Sequence, residues 1–293
     1  MKFTSQINIF LFYILYSRNI LANSLIENFD ISTQQWTVPN ILGNTSLVIS
    51  GDQCVVSEDI IYVFSGNAEN KMLVLNTSSL TLSTLSYDTA PAALVRYSAT
   101  LLPNGDIFYI GGRFYSNFSI FGSMGMIPTF NINNSTWRTI VTSGLIPLPQ
   151  AGHTATFIPQ HNQILIIDGY PQGPIVSLDI STLIWSTPTV SNNGILPGLF
   201  WHTSTLFDKY ILVAFGEYVD YQPISNIYLL DISQKNNYKW VSTYDPPPTS
   251  ITYIASPSIH PPSSSLTSMP TYVSSPNLGL IIGLVFGGIA AVA

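Results

Sequence analysis

The feature that most constrains this chain is a short apolar run, ending in glycine, that occurs four times. The four runs span residues 61–66, 107–112, 164–169 and 211–216, so their final glycines lie 46, 57 and 47 residues apart. Each run is rich in β-branched and aromatic residues and is too short for a helix. Each run is therefore predicted to be a buried β-strand.

Further strands are predicted around each run. One precedes it, at 54–56, 97–102, 153–158 and 202–207, and Asn104-Gly105 between two such strands is a strong hairpin signal. Another follows it and ends at an Asn or Asp, and a large apolar residue (Leu82, Trp137, Trp185 or Trp240) then opens a fourth strand. Four short antiparallel strands with a period near 50 residues are typical of a β-propeller blade.

The predicted fold is therefore all-β, with four recognisable four-stranded blades. A fragment at 28–30 with Trp36 repeats the end of a blade and indicates an N-terminal fifth one. The repeat pattern leaves three alternatives open. The ring is closed by N-terminal strands, belongs to a truncated product, or is completed by a second chain.

Over residues 23–245 the chain resembles the kelch-repeat family. Gly111-Gly112 is the doublet that marks this family, Gly66, Gly169 and Gly216 keep its second glycine, and Trp137, Trp185 and Trp240 match its tryptophan. The resemblance implies a kelch-type propeller, similar to that of galactose oxidase and of membrane-anchored kelch proteins. It also implies six or seven blades, more than this chain supplies. The matching glycines are expected to serve tight turns, and the tryptophans to pack between blades.

The two ends of the chain indicate entry into the secretory pathway. Residues 1–22 resemble a signal peptide, with Lys2 before a ten-residue apolar run. Residues 246–277 form a Pro/Ser/Thr-rich segment that predicts an extended stalk. Residues 278–293 are apolar and predict a membrane segment, either a truncated transmembrane helix or a GPI-attachment signal with its site among 263–268. We therefore expect a membrane-anchored protein at the cell surface.

Glycosylation sequons support the same location. They begin at Asn44, Asn76, Asn117, Asn133 and Asn134, and the last two overlap. Charged residues make up only 8% of the chain, against roughly 25% in a typical soluble domain. Nine Lys and Arg in 293 residues cannot form the basic face that a nucleic-acid binder needs. Because the chain has few charged side chains, glycans attached at these sequons would supply part of its solubility.

Catalytic patterns are absent from the sequence. It contains no Gly-x-Ser-x-Gly, phosphate-loop or HExxH motif, and no pair of its four histidines has close metal-ligand spacing. The resemblance to the galactose oxidase propeller implies an alternative function, that of a galactose-oxidase-like copper oxidase. That family's copper-radical residues are not found, because Cys54 is the single cysteine and His153 and His202 occupy equivalent repeat positions. No catalytic residue, metal site or cofactor is predicted.

Binding of a protein or glycan ligand is the function that we expect. In kelch propellers the loops after the second strands gather on one face, here 67–71, 113–128, 170–174 and 217–223. The second loop is the longest and is rich in aromatic residues. The candidate ligand-binding residues are Arg113, Tyr115, Phe118, Phe121, Tyr170, Tyr218, Asp220 and Tyr221. Self-association is a further expectation, because a second chain is one way to complete the ring.

Overall fold

The structure is a computed structural model that describes residues 8–12, 26–30, 33–43, 53–65, 71–192, 198–218, 220, 222–245 and 289–292. Every regular element within these residues is a β-strand. The predicted stalk, most of the predicted leader and membrane segment, and Asn44, Gly66 and Tyr221 lie outside the described residues.

Five blade-like sheets follow one another along the chain. Blade 1 contains β1 (Asn8–Phe12), β2 (Ile26–Asp30), β3 (Gln35–Thr37) and β26 (Ile289–Val292), in the order β26-β1-β2-β3. Blade 2 contains β5 (Cys54–Ser57), β6 (Ile60–Ser65), β7 (Lys71–Asn76) and β8 (Thr81–Ser86). Blade 3 contains β10 (Ser98–Leu101), β11 (Asp106–Ile110), β14 (Met126–Asn131) and β15 (Thr136–Val141).

Blades 4 and 5 have the same antiparallel order. Blade 4 contains β17 (Thr154–Ile158), β18 (Gln163–Ile167), β19 (Val176–Asp179) and β20 (Ile184–Ser186). Blade 5 contains β22 (Thr203–Phe207), β23 (Tyr210–Ala214), β24 (Ile227–Asp231) and β25 (Asn237–Val241). The prediction of an all-β fold with four four-stranded blades is confirmed, and the N-terminal fragment pairs as the end of blade 1, with Phe29 opposite Trp36.

Short strands from the connecting segments complete the architecture. Three of them pair in parallel with the outer strand of the following blade: β4 (Leu42–Gly43) with β8, β16 (Ser143–Gly144) with β20, and β21 (Thr189–Ser191) with β25. Another three form a small separate sheet: β9 (Leu94–Val95), β12 (Arg113–Phe114) and β13 (Asn117–Phe121).

The hydrophobic core lies mostly between blades, where the apolar faces of neighbouring sheets meet. Trp137 packs with Phe64 and Met72 between blades 2 and 3, and Trp185 packs with Phe108 between blades 3 and 4. The tryptophan of blade 5, Trp240, packs with Ile158 and Leu165 of blade 4. The inner strands β5, β10, β17 and β22 are consecutive neighbours, and β26 lies next to β5. Face-to-face burial of sheets therefore replaces the disulfides that a chain with one cysteine cannot form.

The chain ends enter the described part of the structure only as strands. Asn8–Phe12, inside the predicted leader, pairs with Ile26–Asp30, and Ile289–Val292, inside the predicted membrane segment, pairs with Asn8–Phe12. Among the described residues no helix is long and apolar enough to cross a membrane. The leader, the stalk and the anchor stay predictions.

Candidate functional site

One end of the propeller gathers equivalent residues from three blades. In each of these blades the segment that enters the first strand pairs, antiparallel, with the residue that follows the repeat glycine. The pairs are Val95 with Arg113, Ala151 with Tyr170, and Phe200 with Glu217. These pairs extend the inner hairpin beyond the sheet, so they bring Arg113, Tyr170 and Glu217 to the same face.

Arg113 is held between aromatic rings on this face. Its guanidinium carbon lies 4.3 Å from the ring centroid of Phe121 and 5.4 Å from that of Tyr170. The Arg113 Nη1 donates a hydrogen bond of 2.7 Å to the backbone oxygen of Phe118. These contacts tie the β12–β13 hairpin of blade 3 to blade 4. The segment 113–121 is therefore a hairpin that carries a positioned charge, rather than an irregular loop.

A second arginine extends the cluster from blade 3 to blade 5. The Arg96 guanidinium carbon lies 5.0 Å from the ring centroid of Trp201 and 5.7 Å from that of Phe118. Trp201 belongs to blade 5 and reaches Arg96 of blade 3 by passing over Gly152 of blade 4. A Cβ atom on Gly152 would lie 2.9 Å from the Trp201 Cδ1. Glycine at this position therefore makes room for the indole ring.

The aromatic rings of the cluster remain partly open to solvent. Tyr115 is 39% exposed, Phe118 44% and Tyr170 45%. The rings of Tyr115 and Phe118 lie 5.9 Å apart, and Tyr170 meets Phe200 edge to face at 6.2 Å. We call this surface the arginine–aromatic face. It consists of Arg96, Arg113, Tyr115, Phe118, Phe121, Tyr170, Phe200 and Trp201.

Two acidic residues lie close to this face in the chain. Asp168 is buried, and its Oδ2 accepts a hydrogen bond of 2.6 Å from the backbone N–H of Leu199. Its Oδ1 has no hydrogen-bond partner within the described ranges. Burial raises the pKa of Asp168 to about 6, and burial also raises the pKa of Glu217. Guanidinium groups stay protonated, so Arg96 and Arg113 place two fixed positive charges on the face, beside the carboxyl groups of Asp168 and Glu217.

The structure brings together five of the eight predicted ligand residues. Arg113, Tyr115, Phe118, Phe121 and Tyr170 lie on the arginine–aromatic face. Tyr218 is half-buried and packs against the core between blades 4 and 5, and Asp220 is exposed and accepts a hydrogen bond from the Gln222 backbone N–H. Tyr221 lies outside the described residues, so the structure does not bear on it.

Sequence reasoning missed Arg96, Phe200 and Trp201, which complete the face. A signal for two of them was present, because Arg96, Gly152 and Trp201 each directly precede a first strand and are equivalent in the repeat. All three have left-handed backbone conformations, with φ of 59°, 67° and 58°. The backbone N–H of Trp201 donates to the Gly152 oxygen at 2.8 Å, and that of Gly152 donates to the Arg96 oxygen at 2.9 Å.

His153 and His202 form contacts between blades. His153 Nε2 lies 2.8 Å from the Ser98 Oγ of blade 3, and His202 Nε2 lies 2.9 Å from the Thr154 Oγ1 of blade 4. Burial lowers the pKa of His153 to about 3 and that of His202 to about 4, so both imidazoles are neutral at pH 7. Burial raises the pKa of Cys54 to about 12, which disfavours its thiolate. In the part of the chain that the structure describes, no three His, Cys, Asp or Glu side chains group as a metal site.

Asparagines of the sequons are described at four of the five positions. Asn117, Asn133 and Asn134 are exposed, whereas Asn76 is half-buried at the end of β7. The Asn117 Oδ1 accepts a hydrogen bond of 3.0 Å from the Ser119 backbone N–H. Glycosylation at these residues stays a prediction.

Comparison with known proteins gives concordant results. The family model described as "KLHDC2/KLHL20/DRC7 Kelch-repeats domain" matches residues 17–169, just over half of the chain. Kelch domain-containing protein 3 from Rattus norvegicus and from Mus musculus is 25% identical over 162 residues, which cover 51% of this chain and 41% of each relative. The Bos taurus protein of that name is 22% identical over 161 residues. The aligned part of the chain thus spans about two fifths of the length of these relatives.

A solved structure supports the same fold. The structure of YjhT superimposes with a TM-score of 0.53 at 16% sequence identity and covers 68% of this chain and 66% of that one. This likeness concerns the fold alone. With the matched family model and the repeated four-stranded blades, it shows that the chain belongs to the kelch-repeat family and has a kelch-type propeller fold.

Proposed function

We propose that this chain is a non-catalytic protein that binds a partner protein through the arginine–aromatic face. Kelch-repeat domains generally bind proteins and are typically non-catalytic. The observation that carries the proposal is the stacking of Arg96 and Arg113 on aromatic rings from three blades, with Tyr115, Phe118 and Tyr170 left partly exposed.

The composition of the face suits an energetic centre of a protein interface. Tyr, Trp and Arg are the residue types that most often dominate binding energy. The stacked guanidinium groups are already ordered, so binding would cost little further side-chain entropy. The fixed guanidinium charges of Arg96 and Arg113 would favour a partner that presents carboxylates to them. An acidic or carboxylate-bearing protein surface is therefore the partner chemistry that we expect.

A glycan is the second ligand class that we propose to test. The exposed rings of Tyr115 and Tyr170 offer flat apolar surfaces of the kind on which other groups stack. A glycan array probed with the labelled protein, beside a Tyr115→Ala/Tyr170→Ala variant, measures this directly. Binding to a defined sugar that the variant loses would favour a glycan. An empty array would leave the protein ligand.

The cellular location remains part of the proposal. The leader-like residues 1–22, the sequons and the apolar segment 278–293 favour a membrane-anchored protein at the cell surface. Surface biotinylation of intact cells, followed by glycosidase treatment, tests location and glycosylation together. Recovery of the protein only from the unlabelled fraction, with unchanged mass, would contradict both. Light scattering of the purified protein tests self-association.

The binding face is tested by comparing two double variants. Tyr115→Ala/Phe118→Ala removes two exposed rings from the face, whereas Leu85→Ala/Ile227→Ala removes exposed apolar side chains, 37% and 41% exposed, from other blades. Proteins retained from an extract of the expressing cells are quantified by mass spectrometry. We expect a set of partners that the wild type and the Leu85/Ile227 control retain and the face variant loses. Equal retention by all three proteins would show that this face is not the binding site.

A further inference from the structure

The outer edges of four blades are not finished in the same way. In blades 2, 4 and 5 the segment that leads into the blade adds a short parallel strand to the outer strand: β4 on β8, β16 on β20 and β21 on β25. In blade 3 the outer strand β15 pairs with β14, and no other described strand joins it. The edge of β15 is therefore open where its three counterparts are covered.

The three covering strands share one register. Gly43 lies opposite Leu82, and Gly144 lies opposite Trp185. Each glycine follows the tryptophan of the preceding blade by seven residues: Gly43 follows Trp36, and Gly144 follows Trp137. Asn192, seven residues after Trp185, donates its Nδ2 to the Trp240 backbone oxygen at 3.0 Å. All three residues are left-handed, with φ of 120°, 83° and 57°. A Cβ atom on Gly144 would lie 2.5 Å from the Trp185 oxygen, so the close approach requires glycine there.

The segment that leads into blade 3 carries a residue that opposes this conformation. Thr89 stands seven residues after Leu82, and β-branched residues are strongly disfavoured at positive φ. Instead of an extended strand, the chain forms a turn in which the Ala90 backbone N–H donates to the Tyr87 oxygen at 3.1 Å. The ring of Tyr87 packs 5.4 Å from that of Phe130. This segment therefore packs between blades 2 and 3 and does not pair with β15.

Backbone hydrogen bonds show the same difference between blade 3 and the blades whose outer edge is covered. The carbonyl oxygens of Leu80 and Leu183, each two residues before the large apolar residue of the fourth strand, accept hydrogen bonds of 2.8 and 3.0 Å from Leu42 and Ser143 in turn. The equivalent oxygen in blade 3 belongs to Ser135, and no N–H of the described chain donates to it. Ser135 is exposed, like most of β15. The open edge thus presents backbone groups that covering strands satisfy in blades 2, 4 and 5.

Two side-chain observations point to the same missing segment. Trp185 Nε1 donates to Thr142 Oγ1 at 2.8 Å and to the Met124 backbone oxygen at 3.2 Å, and Thr142 directly precedes β16. Trp137, only 9% exposed, has no acceptor for its Nε1 in the described ranges. Next to this edge, Met126 and Val141 are paired across strands and are 57% and 69% exposed. An uncovered edge beside an apolar patch is a known template for strand addition.

We propose that the outer edge of β15 binds an extended segment of a partner protein as an added parallel strand, with a glycine or asparagine opposite Trp137. The occupant's chemistry follows from the three strands that cover the equivalent edges, which read Leu-Gly, Ser-Gly and Thr-Val-Ser before Asn192. A short apolar or hydroxyl residue followed by a left-handed glycine or asparagine is therefore the sequence that fits. This inference does not rest on the proposed function, because the two surfaces consist of different residues.

Thr139 offers a substitution that separates strand addition from folding. It lies opposite Pro128 in β14, and proline has no N–H to exchange. The backbone N–H and oxygen of Thr139 therefore point to the outer edge, where proline is tolerated in a strand. Thr139→Pro removes one outward donor and keeps the β14–β15 ladder. Thr139→Val is the matched control, because valine is similar in size to threonine and keeps the backbone N–H donor.

The probe is a fluorescent peptide with the sequence of residues 142–148, Thr-Ser-Gly-Leu-Ile-Pro-Leu, because this segment already pairs with an outer strand in blade 4. Its binding to the full, unglycosylated chain is followed by fluorescence anisotropy. We expect saturable binding that Thr139→Val keeps within about twofold and that Thr139→Pro weakens about tenfold, the effect of one lost hydrogen bond. A peptide with Gly144→Val should also bind about tenfold more weakly.

Three results would overturn the proposal. The first is the absence of saturable peptide binding, and the second is equal binding of the peptide to the wild type and to Thr139→Pro. The third is a wild-type dimer that Thr139→Pro converts to a monomer, which would assign the edge to a second copy of this chain. If Thr139→Pro does not fold, hydrogen exchange in the wild type decides. The peptide should then slow exchange of the Trp137 and Thr139 amides, and unchanged exchange would refute strand addition.

Discussion

Blades 3 and 4 are built from the same repeat, yet the outer edge of blade 4 is covered by a further strand and that of blade 3 is not covered by any described strand. In blade 4, β16 covers the outer strand, Trp185 Nε1 has an acceptor, and the loop after the second strand is short. In blade 3, the outer strand is uncovered, Trp137 Nε1 has no described acceptor, and the loop forms the hairpin of the arginine–aromatic face. A propeller repeat thus tolerates departures at its loops and outer edge, because the core between blades already fixes the sheet.

The contacts between blades differ along the chain in the same way. Tyr97, His153 and His202 occupy equivalent positions at the start of the inner strands of blades 3, 4 and 5. Tyr97 donates its hydroxyl to the Phe64 oxygen of blade 2, whereas the two histidines face hydroxyl groups of the preceding blade. The junction of blades 2 and 3 therefore lacks the group that titrates at the next two junctions.

Acid should expose this difference with the largest effect. The pKa values of His153 and His202, about 3 and about 4 when folded, lie below their ordinary 6.5. The unfolded chain therefore binds more protons below pH 6.5, and stability present above that pH is lost as pH falls. Asp168, with its pKa raised to about 6, opposes the loss as pH falls through 6. We expect the free energy of unfolding to fall by about 3 kcal/mol from pH 6.5 to 4, as measured by urea titration.

Two further measurements sharpen the acid prediction. Asp168→Asn removes the opposing carboxyl, so its loss of stability over the same range should be steeper than that of the wild type. Hydrogen exchange at pH 4 should rise first in blades 4 and 5, while the strands of blade 2 stay protected. Stability that is flat or increases on acidification would contradict the burial of neutral histidines at these junctions.

Valine scanning of two equivalent linker positions tests why one outer edge is covered. Gly144→Val puts a β-branched side chain at φ 83° and against the Trp185 oxygen, so it should lower the free energy of unfolding by about 2 kcal/mol. Thr89→Val, at the equivalent position before blade 3, should change it by less than about 0.5 kcal/mol. Thermal melts of both variants give the comparison. Equal losses would show that Thr89 is not what directs the linker away from β15.

The two tryptophans give a smaller contrast between the same blades. Trp185→Phe loses ring volume and the hydrogen bonds to Thr142 and Met124, whereas Trp137→Phe loses ring volume alone among the described contacts. Trp185→Phe should therefore be more destabilising by about 1 kcal/mol. Denaturant titrations of the two variants measure the difference. A larger loss for Trp137→Phe would indicate that its indole N–H has an acceptor in solution.

The strands and their order could be predicted from the sequence, because the apolar runs, the glycines and the large residue of the fourth strand recur at a fixed period. Phe29 opposite Trp36 shows that even a fragment of the pattern specifies pairing. The covering strands could not be predicted in this way. They are two or three residues long, and their signal is one left-handed Gly or Asn, which has meaning only once the register of the next blade is known.

The candidate site was partly predictable for a similar reason. The long aromatic loop identified Arg113, Phe118 and Phe121, which are neighbours in sequence. Arg96 and Trp201 lie over one hundred residues apart and meet only because Gly152 lets the indole cross blade 4. Contacts of that kind depend on side-chain direction across three blades, and one repeat pattern does not encode it.

The smallest expected effect concerns the hairpin that blade 3 has and blade 4 lacks. Arg113→Lys loses the planar group that stacks on Phe121 and donates to Phe118, so hairpin 113–121 should open more often. The free energy of unfolding should fall by only about 0.5 kcal/mol, because the hairpin lies outside the core. Hydrogen exchange should nevertheless rise in 117–121. Arg138→Lys, whose arginine pairs with Asp106 elsewhere in blade 3, should leave that exchange unchanged, and an equal increase in both variants would show that Arg113 does not order the face.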